Sequence, residues 1–234
     1  MAEDLELQTY LYISSNIIGI YLFEVKNQKN FYKEEIKLPN EAKIINLNDL
    51  DLFLEKNIFK IEKLIGKFIK NISLIIDDKS INNLNFGIKK KIYEKNVNRK
   101  NLENALIDAK DLFKENFQNE KIMHILLKRY LVNGSHYSSY EENISGDNFC
   151  LELEFIYLSS QMIFEIEKTL RKYQISANQF LDGNYIKNLF KNDYLEISEM
   201  AYKVQNGFNN NEVKLIPKNV KKMGFFEKFF QLFS

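Results

Sequence analysis

Hydrophobic and polar positions change period several times along this chain. Thr9 to Val25 is β-branched and aromatic except for a polar break at Ser14-Ser15-Asn16, which predicts a strand, a turn and a second strand. Phe31 to Leu38 alternates and predicts a third strand. From Leu50 the apolar positions Leu52, Phe53, Ile58, Ile61, Leu64, Ile65 and Phe68 take helical spacing. Ile72 to Ile76, just ahead of Asp77-Asp78, is a continuous apolar run that predicts a buried strand. Gly87 to Tyr93 reads as an edge strand whose Lys89, Lys90 and Lys91 discourage aggregation.

Asn98 is the expected N-cap of a helix carrying Leu102, Ala105, Leu106, Ala109, Leu112 and Phe113 on one stripe. Two longer strands are predicted over Lys121–Val132 and Phe149–Tyr157, with a polar loop from Asn133 to Gly146 between them. Ser159-Ser160 opens a helix to about Tyr173, its stripe formed by Ile163, Ile166, Leu170 and Tyr173. A short strand near Ala177–Leu181 then leads into a helical region over Tyr185–Val204. Alternating strands and helices of this kind predict an α/β or α+β fold.

The end of the chain is patterned most sharply. Wound as a helix at about 100° per residue, Phe225, Phe226, Phe229, Phe230, Leu232 and Phe233 share an arc roughly 160° wide, opposite Glu227, Lys228, Gln231 and Ser234. So short a segment has no means of burying six large apolar side chains against itself. Residues 208–222 read as a linker that sets Lys218, Lys221 and Lys222 before the phenylalanines, as anionic headgroups favour. Residues 223–234 are therefore expected to be a membrane-surface helix, contacting lipid through Lys221, Lys222, Phe225, Phe226, Lys228, Phe229, Phe230, Leu232 and Phe233. A last helix docked on the protein's own core or on a partner is the competing reading.

Composition narrows the function classes. A net charge of +1 gives no global argument for nucleic acid. The lone Cys150 excludes an intramolecular disulfide and a thiol pair. The N-terminus is acidic, without the basic and apolar regions of a signal peptide, and no window reaches the ~20 apolar residues of a spanning helix. The expected location is the cytoplasm, with membrane contact from the side. Catalytic patterns are lacking: His124 falls in an apolar strand, and His136 lies near Ser135, Ser138 and Ser139 without an acid to orient it. Asp77-Asp78 and Glu141-Glu142 suit turns, and no Gly-rich phosphate loop occurs.

Leu11 to Val25 runs without a gap along a hairpin of the form L-D-I-G-[ST]-[ST]-K followed by an apolar strand ending G-E-V. Ile122 to Gly134 is similar to I-L-H-V-I-P-Q-E-Y-x-V-D-G, Ser145-Gly146 to M-S-G, Val97-Asn98 to V-T-E-E-D, and Arg171 to Ile175 to E-R-A-G-L. These patterns, in this order, resemble bacterial FtsA, the actin-like protein that tethers the FtsZ division ring to the membrane. The resemblance implies a partial actin-like (RNase H-like) subdomain from residues 1–76 and 176–207. It also implies an inserted strand-helix-strand-strand (SHS2) subdomain over 77–175.

Departures from the family pattern shape the expected chemistry. Its phosphate-binding Asp, Gly and Lys are here Tyr12, Ser14 and Ile17, leaving a degenerate loop of Tyr12, Ser14, Ser15, Asn16 and Ile17. A phenol replaces the carboxylate that would position hydrated Mg²⁺, and Ile17 removes a phosphate donor. The family's second lobe, with its adenosine site, has no counterpart in the sequence. ATP binding is therefore expected to be lost, with no metal and no catalysis. The implied partners are an anionic membrane surface and divisome proteins, with FtsZ and self-association as candidates. The alternatives are a soluble actin-like scaffold of the pilus-assembly type and a divergent ATP-binding FtsA.

Overall fold

The structure is a computed structural model that describes residues 6–38, 45–93, 96–137 and 144–214. In chain order its elements are β1 (Leu7–Ser14), β2 (Ile17–Glu24), β3 (Lys29–Lys37), α1 (Leu47–Ile65), β4 (Asn71–Asp77) and β5 (Asn82–Lys91). There follow β6 (Asn96–Val97), α2 (Arg99–Asn116), β7 (Glu120–Val132), β8 (Ser135–Tyr137), β9 (Ile144–Ser145) and β10 (Asn148–Ser159). The described chain closes with α3 (Ser160–Arg171), β11 (Ser176–Asp182), α4 (Gly183–Leu189) and α5 (Ile197–Gln205). It divides into two compact units.

The first unit, residues 6–81 and 160–208, is built on a five-stranded sheet of order β11-β4-β1-β2-β3. β1, β2 and β3 form an antiparallel meander, whereas β1, β4 and β11 run parallel. This order and these directions are those of an RNase H-like sheet, the core of actin-like subdomains. The buried β1, β2 and β4 account for the near-continuous apolar runs in the sequence. α1 starts at the N-cap Asn46, whose side chain accepts from the Asn48 amide. It stops at Gly66, whose φ of 68° allows its N–H to reach the Glu62 carbonyl. Phe68 therefore lies beyond the helix that its spacing had extended, and Leu52, Leu64 and Phe68 are exposed instead of forming a core stripe.

The second unit, residues 82–159 and 209–214, packs α2 on a sheet of order β5-β10-β7-β8. Asn98 caps α2 as expected, in a reciprocal box with Asn101. Phe113 stacks at 5.2 Å on Phe155 and at 4.9 Å on Phe117, joining the helix to the sheet. β5 begins at Asn82, five residues earlier than alternation indicated. The polar loop holds the short strands β8 and β9, the latter paired with β6.

The unit boundaries differ from those read in the sequence. α3 belongs to the first unit, where the residues just after it are fastened to α1: Lys172 and Tyr173 both donate to the Asp51 carboxylate, at 2.6 and 2.9 Å. Residues 209–214, read as the start of a linker, lie on β7 instead. The Leu127 amide donates to the Asn211 carbonyl and the Val213 amide to the Ile125 carbonyl, each at 2.8 Å. A helical stretch expected over 185–204 is two helices, because Lys191 to Glu196 leaves the helical path between them.

Candidate functional site

Ligands of parallel α/β sheets bind outside the carboxyl ends of the strands. In the first unit that edge is made by Ser14 of β1, Asp77 of β4 and Asp182 of β11. Tyr12, two residues short of the β1 end, faces α4. Its hydroxyl donates to Asp77 Oδ2 at 2.9 Å. Lys187 reaches down from α4 and donates to the same Oδ2 at 2.7 Å and to Tyr12 Oη at 2.6 Å, its Nζ 4.8 Å from the phenol ring centre. Phenol, carboxylate and ammonium thus form a closed triangle.

Local structure makes the triangle possible. Asp182 caps α4 by accepting from the Asn184 amide at 2.9 Å, which fixes where the helix begins. Gly183 lets the helix start against β4: a Cβ there would lie 2.7 Å from Asp77 Cβ and 3.3 Å from the Ile76 carbonyl. The β1–β2 turn is closed in the same manner. Ser14 Oγ accepts from the Ile17 amide at 3.0 Å and lies 2.8 Å from Asn16 Oδ1, while the Asn16 carbonyl accepts from the Leu38 amide. The loop of Tyr12, Ser14, Ser15, Asn16 and Ile17 is thus a self-bonded hairpin turn whose amide at position 17 is already used.

Electrostatics follow from the contacts. Burial pushes the Tyr12 phenol above its ordinary value, and the neighbouring Asp77 adds to this against the opposing bond from Lys187. Burial alone would lower the Lys187 ammonium, but its hydrogen bonds to Asp77 and Tyr12 outweigh that and raise it. At neutral pH the edge therefore holds a neutral phenol and a fixed cation that neutralises Asp77. The Lys187 ammonium thus sits against the Asp77 carboxylate at the end of β4.

Beside it, a polar network ties α5 to the sheet. Tyr10 Oη donates to Gln205 Oε1 at 2.7 Å, Gln205 Nε2 donates to Ser73 Oγ at 3.0 Å, and Ser73 donates to Asn178 at 3.0 Å. These groups satisfy one another in the packed interior and read as structural.

In the second unit, His124 has the structural role its apolar strand implied. Its Nδ1 lies 2.9 Å from Glu212 Oε1, both side chains almost wholly buried. Glu212 forms a β-bridge with Leu126, and Val213 packs against the aromatic core, so residues 209–214 are clasped to β7. His136 is exposed on β8, and Ser138, Ser139, Glu141 and Glu142 lie outside the described residues. Burial raises the Cys150 thiol and leaves it a poor nucleophile.

Lys218, Lys221, Lys222, Phe225, Phe226, Lys228, Phe229, Phe230, Leu232 and Phe233 also lie outside the described residues. Among the described residues, no helix is long and apolar enough to cross a membrane, and no three His, Cys, Asp or Glu side chains are placed to hold a metal. Lys187 was missed by sequence reasoning. It stands 110 positions from Asp77 and 175 from Tyr12, in a segment whose pattern showed only a helix.

No protein-family model matches the chain, and no curated protein sequence matches it. Solved structures similar to it include a PilM-PilN type IV pilus biogenesis complex, at 8% identity and a TM-score of 0.46, over 78% of this chain and 49% of that one. Another is a Bacteroides thetaiotaomicron protein of actin-like ATPase fold and unknown function, at 13% identity and a TM-score of 0.34, over 82% and 59%. A third is the cytoplasmic domain of EpsL, an inner membrane component of the Vibrio cholerae type II secretion system, at 10% identity and a TM-score of 0.32, over 77% and 56%. The chain thus spans roughly half the length of these structures.

Proposed function

We propose that the protein is a non-catalytic, actin-like adaptor, similar to FtsA. In this reading it works at the cytoplasmic face of the inner membrane and joins divisome proteins to that surface through its C-terminal amphipathic segment. FtsZ is the first candidate among those proteins. The observation that carries the reading is the Tyr12–Asp77–Lys187 triangle. At this sheet edge Lys187 already pairs with Asp77, and the turn amide at position 17 already donates to Ser14, which weighs against a hydrated cation and a phosphate there. A divergent ATP-binding FtsA would have to displace Lys187 first.

A soluble scaffold whose tail docks on a partner protein is the second reading. The clasp at Glu212 favours it, since the clasp gives the segment leading to the tail a fixed root on the second unit. Salt separates the two readings, because lysine-assisted lipid binding weakens steeply with ionic strength and an apolar docking groove much less.

Titration with a fluorescent ATP analogue and Mg²⁺ tests the adaptor reading. The expected result is no saturable binding tighter than about 10 μM. Tighter binding, abolished by competing ATP, contradicts it.

A further inference from the structure

The C-terminal end of α1 leaves large apolar side chains in solvent. Phe59 is 73% exposed, Leu64 53% and Phe68 79%. Phe59 and Phe68 flank an open cleft of about 920 Å³, into which Leu7, Thr9 and Leu22 of the sheet also face. Exposed aromatics gathered in one place mark an interaction surface more often than a lone exposed side chain does.

Lysines outnumber acids around them. Lys60, Lys63, Lys67 and Lys70 are all exposed, and none is in an ion pair among the described residues. Glu62, the acid among them, already accepts from the Ile69 amide at 3.0 Å. We propose that this end of α1, with the turn that follows it, is a second lipid-contact site that seats on an anionic membrane surface. The inference rests on the membrane-adaptor reading and adds to it a contact independent of the tail.

Two observations favour lipid over an acidic peptide. The phenylalanine rings stand about three-quarters exposed at the rim, able to enter a headgroup layer as they are. Lysine stems can lie along the same apolar surface with their ammonium groups in the headgroups. The tail sequence likewise sets lysines close to phenylalanines. A single amphipathic anchor binds marginally, and a second linked contact raises the overall affinity without any new chemistry.

The test is co-flotation of the full chain with phosphatidylcholine vesicles containing phosphatidylglycerol. Phe59→Ser/Phe68→Ser and Lys63→Gln/Lys67→Gln/Lys70→Gln are compared with the parent and with the tail variant Phe226→Glu/Phe229→Glu. Because the substituted groups are exposed, the melting temperature should hold, and each α1 variant should lose about tenfold in partitioning. The lysine variant should also show a shallower salt dependence. Partitioning within twofold of the parent for both α1 variants overturns the site and passes the cleft to a peptide partner. The tail reading fails separately, if Phe226→Glu/Phe229→Glu floats like the parent. If no chain binds these vesicles, both are overturned.

Discussion

Lys187 holds a charge where the β1, β4 and β11 ends converge, and its removal has a readable cost. Its side chain is 46% exposed, so solvent screens the ion pair, and Lys187→Met should destabilise by only about 1 kcal/mol in urea unfolding. The pH dependence carries a second signature. Both Lys187 and Tyr12 are raised in the folded protein, so each contributes stability that is complete below its ordinary value of 10.5 or 10.0 and lost as pH rises through the folded value. Stability should be insensitive to these groups up to about pH 9 and fall above pH 10. Lys187→Met should remove the lysine's share of that alkaline limb and make it shallower, while Tyr12, Tyr10, Tyr21 and Tyr173, all raised, keep a limb in the variant. A limb identical to the parent's would contradict the assignment. Gly183→Ala tests the same corner by packing: its Cβ would press on Asp77 Cβ, and a loss of about 1–3 kcal/mol is expected in the same assay. The hairpin that carries Tyr12 and Ile17 was legible from the polar break Ser14-Ser15-Asn16 between two apolar runs. Lys187 was not, since its meaning arises only when the chain returns along β11.

At the scale of elements, periodicity located most strands and helices because their buried faces alternate or recur cleanly, as β10 and α2 do. It failed where polar chemistry or a cap overrode it. Gly66 ends α1 before Phe68, which converts an expected core position into an exposed one. Residues 209–214 looked like linker because asparagines dominate them, yet their backbone hydrogen bonds and the His124–Glu212 contact dock them on β7. Glu212→Ala should leave the buried imidazole without this acceptor and cost about 1–3 kcal/mol. It should also speed amide exchange at Leu127 and Val213, the two donors that hold the segment. Unchanged exchange at both amides would mean that the backbone pairing stands without the side-chain clasp.

For the whole molecule, the architecture of each unit was legible as mixed α/β, because strand and helix periods alternate along the chain. The assignment of α3 to the first unit was not, since the Asp51 contacts of Lys172 and Tyr173 that fasten the chain after it to α1 span more than a hundred positions. Under the proposed function the work is done by surfaces. Phe226→Glu/Phe229→Glu should therefore release the protein from membranes while leaving its unfolding curve unchanged, and a lowered unfolding midpoint would instead favour a tail docked on the protein's own core. The most direct measurement is flotation of the purified full chain with anionic vesicles in the presence of FtsZ, against Phe226→Glu/Phe229→Glu. The parent should float and carry FtsZ with it, while the variant should leave both in the soluble fraction. A parent that floats without FtsZ would contradict the FtsZ assignment, and a variant that floats as well as the parent would contradict the anchor itself.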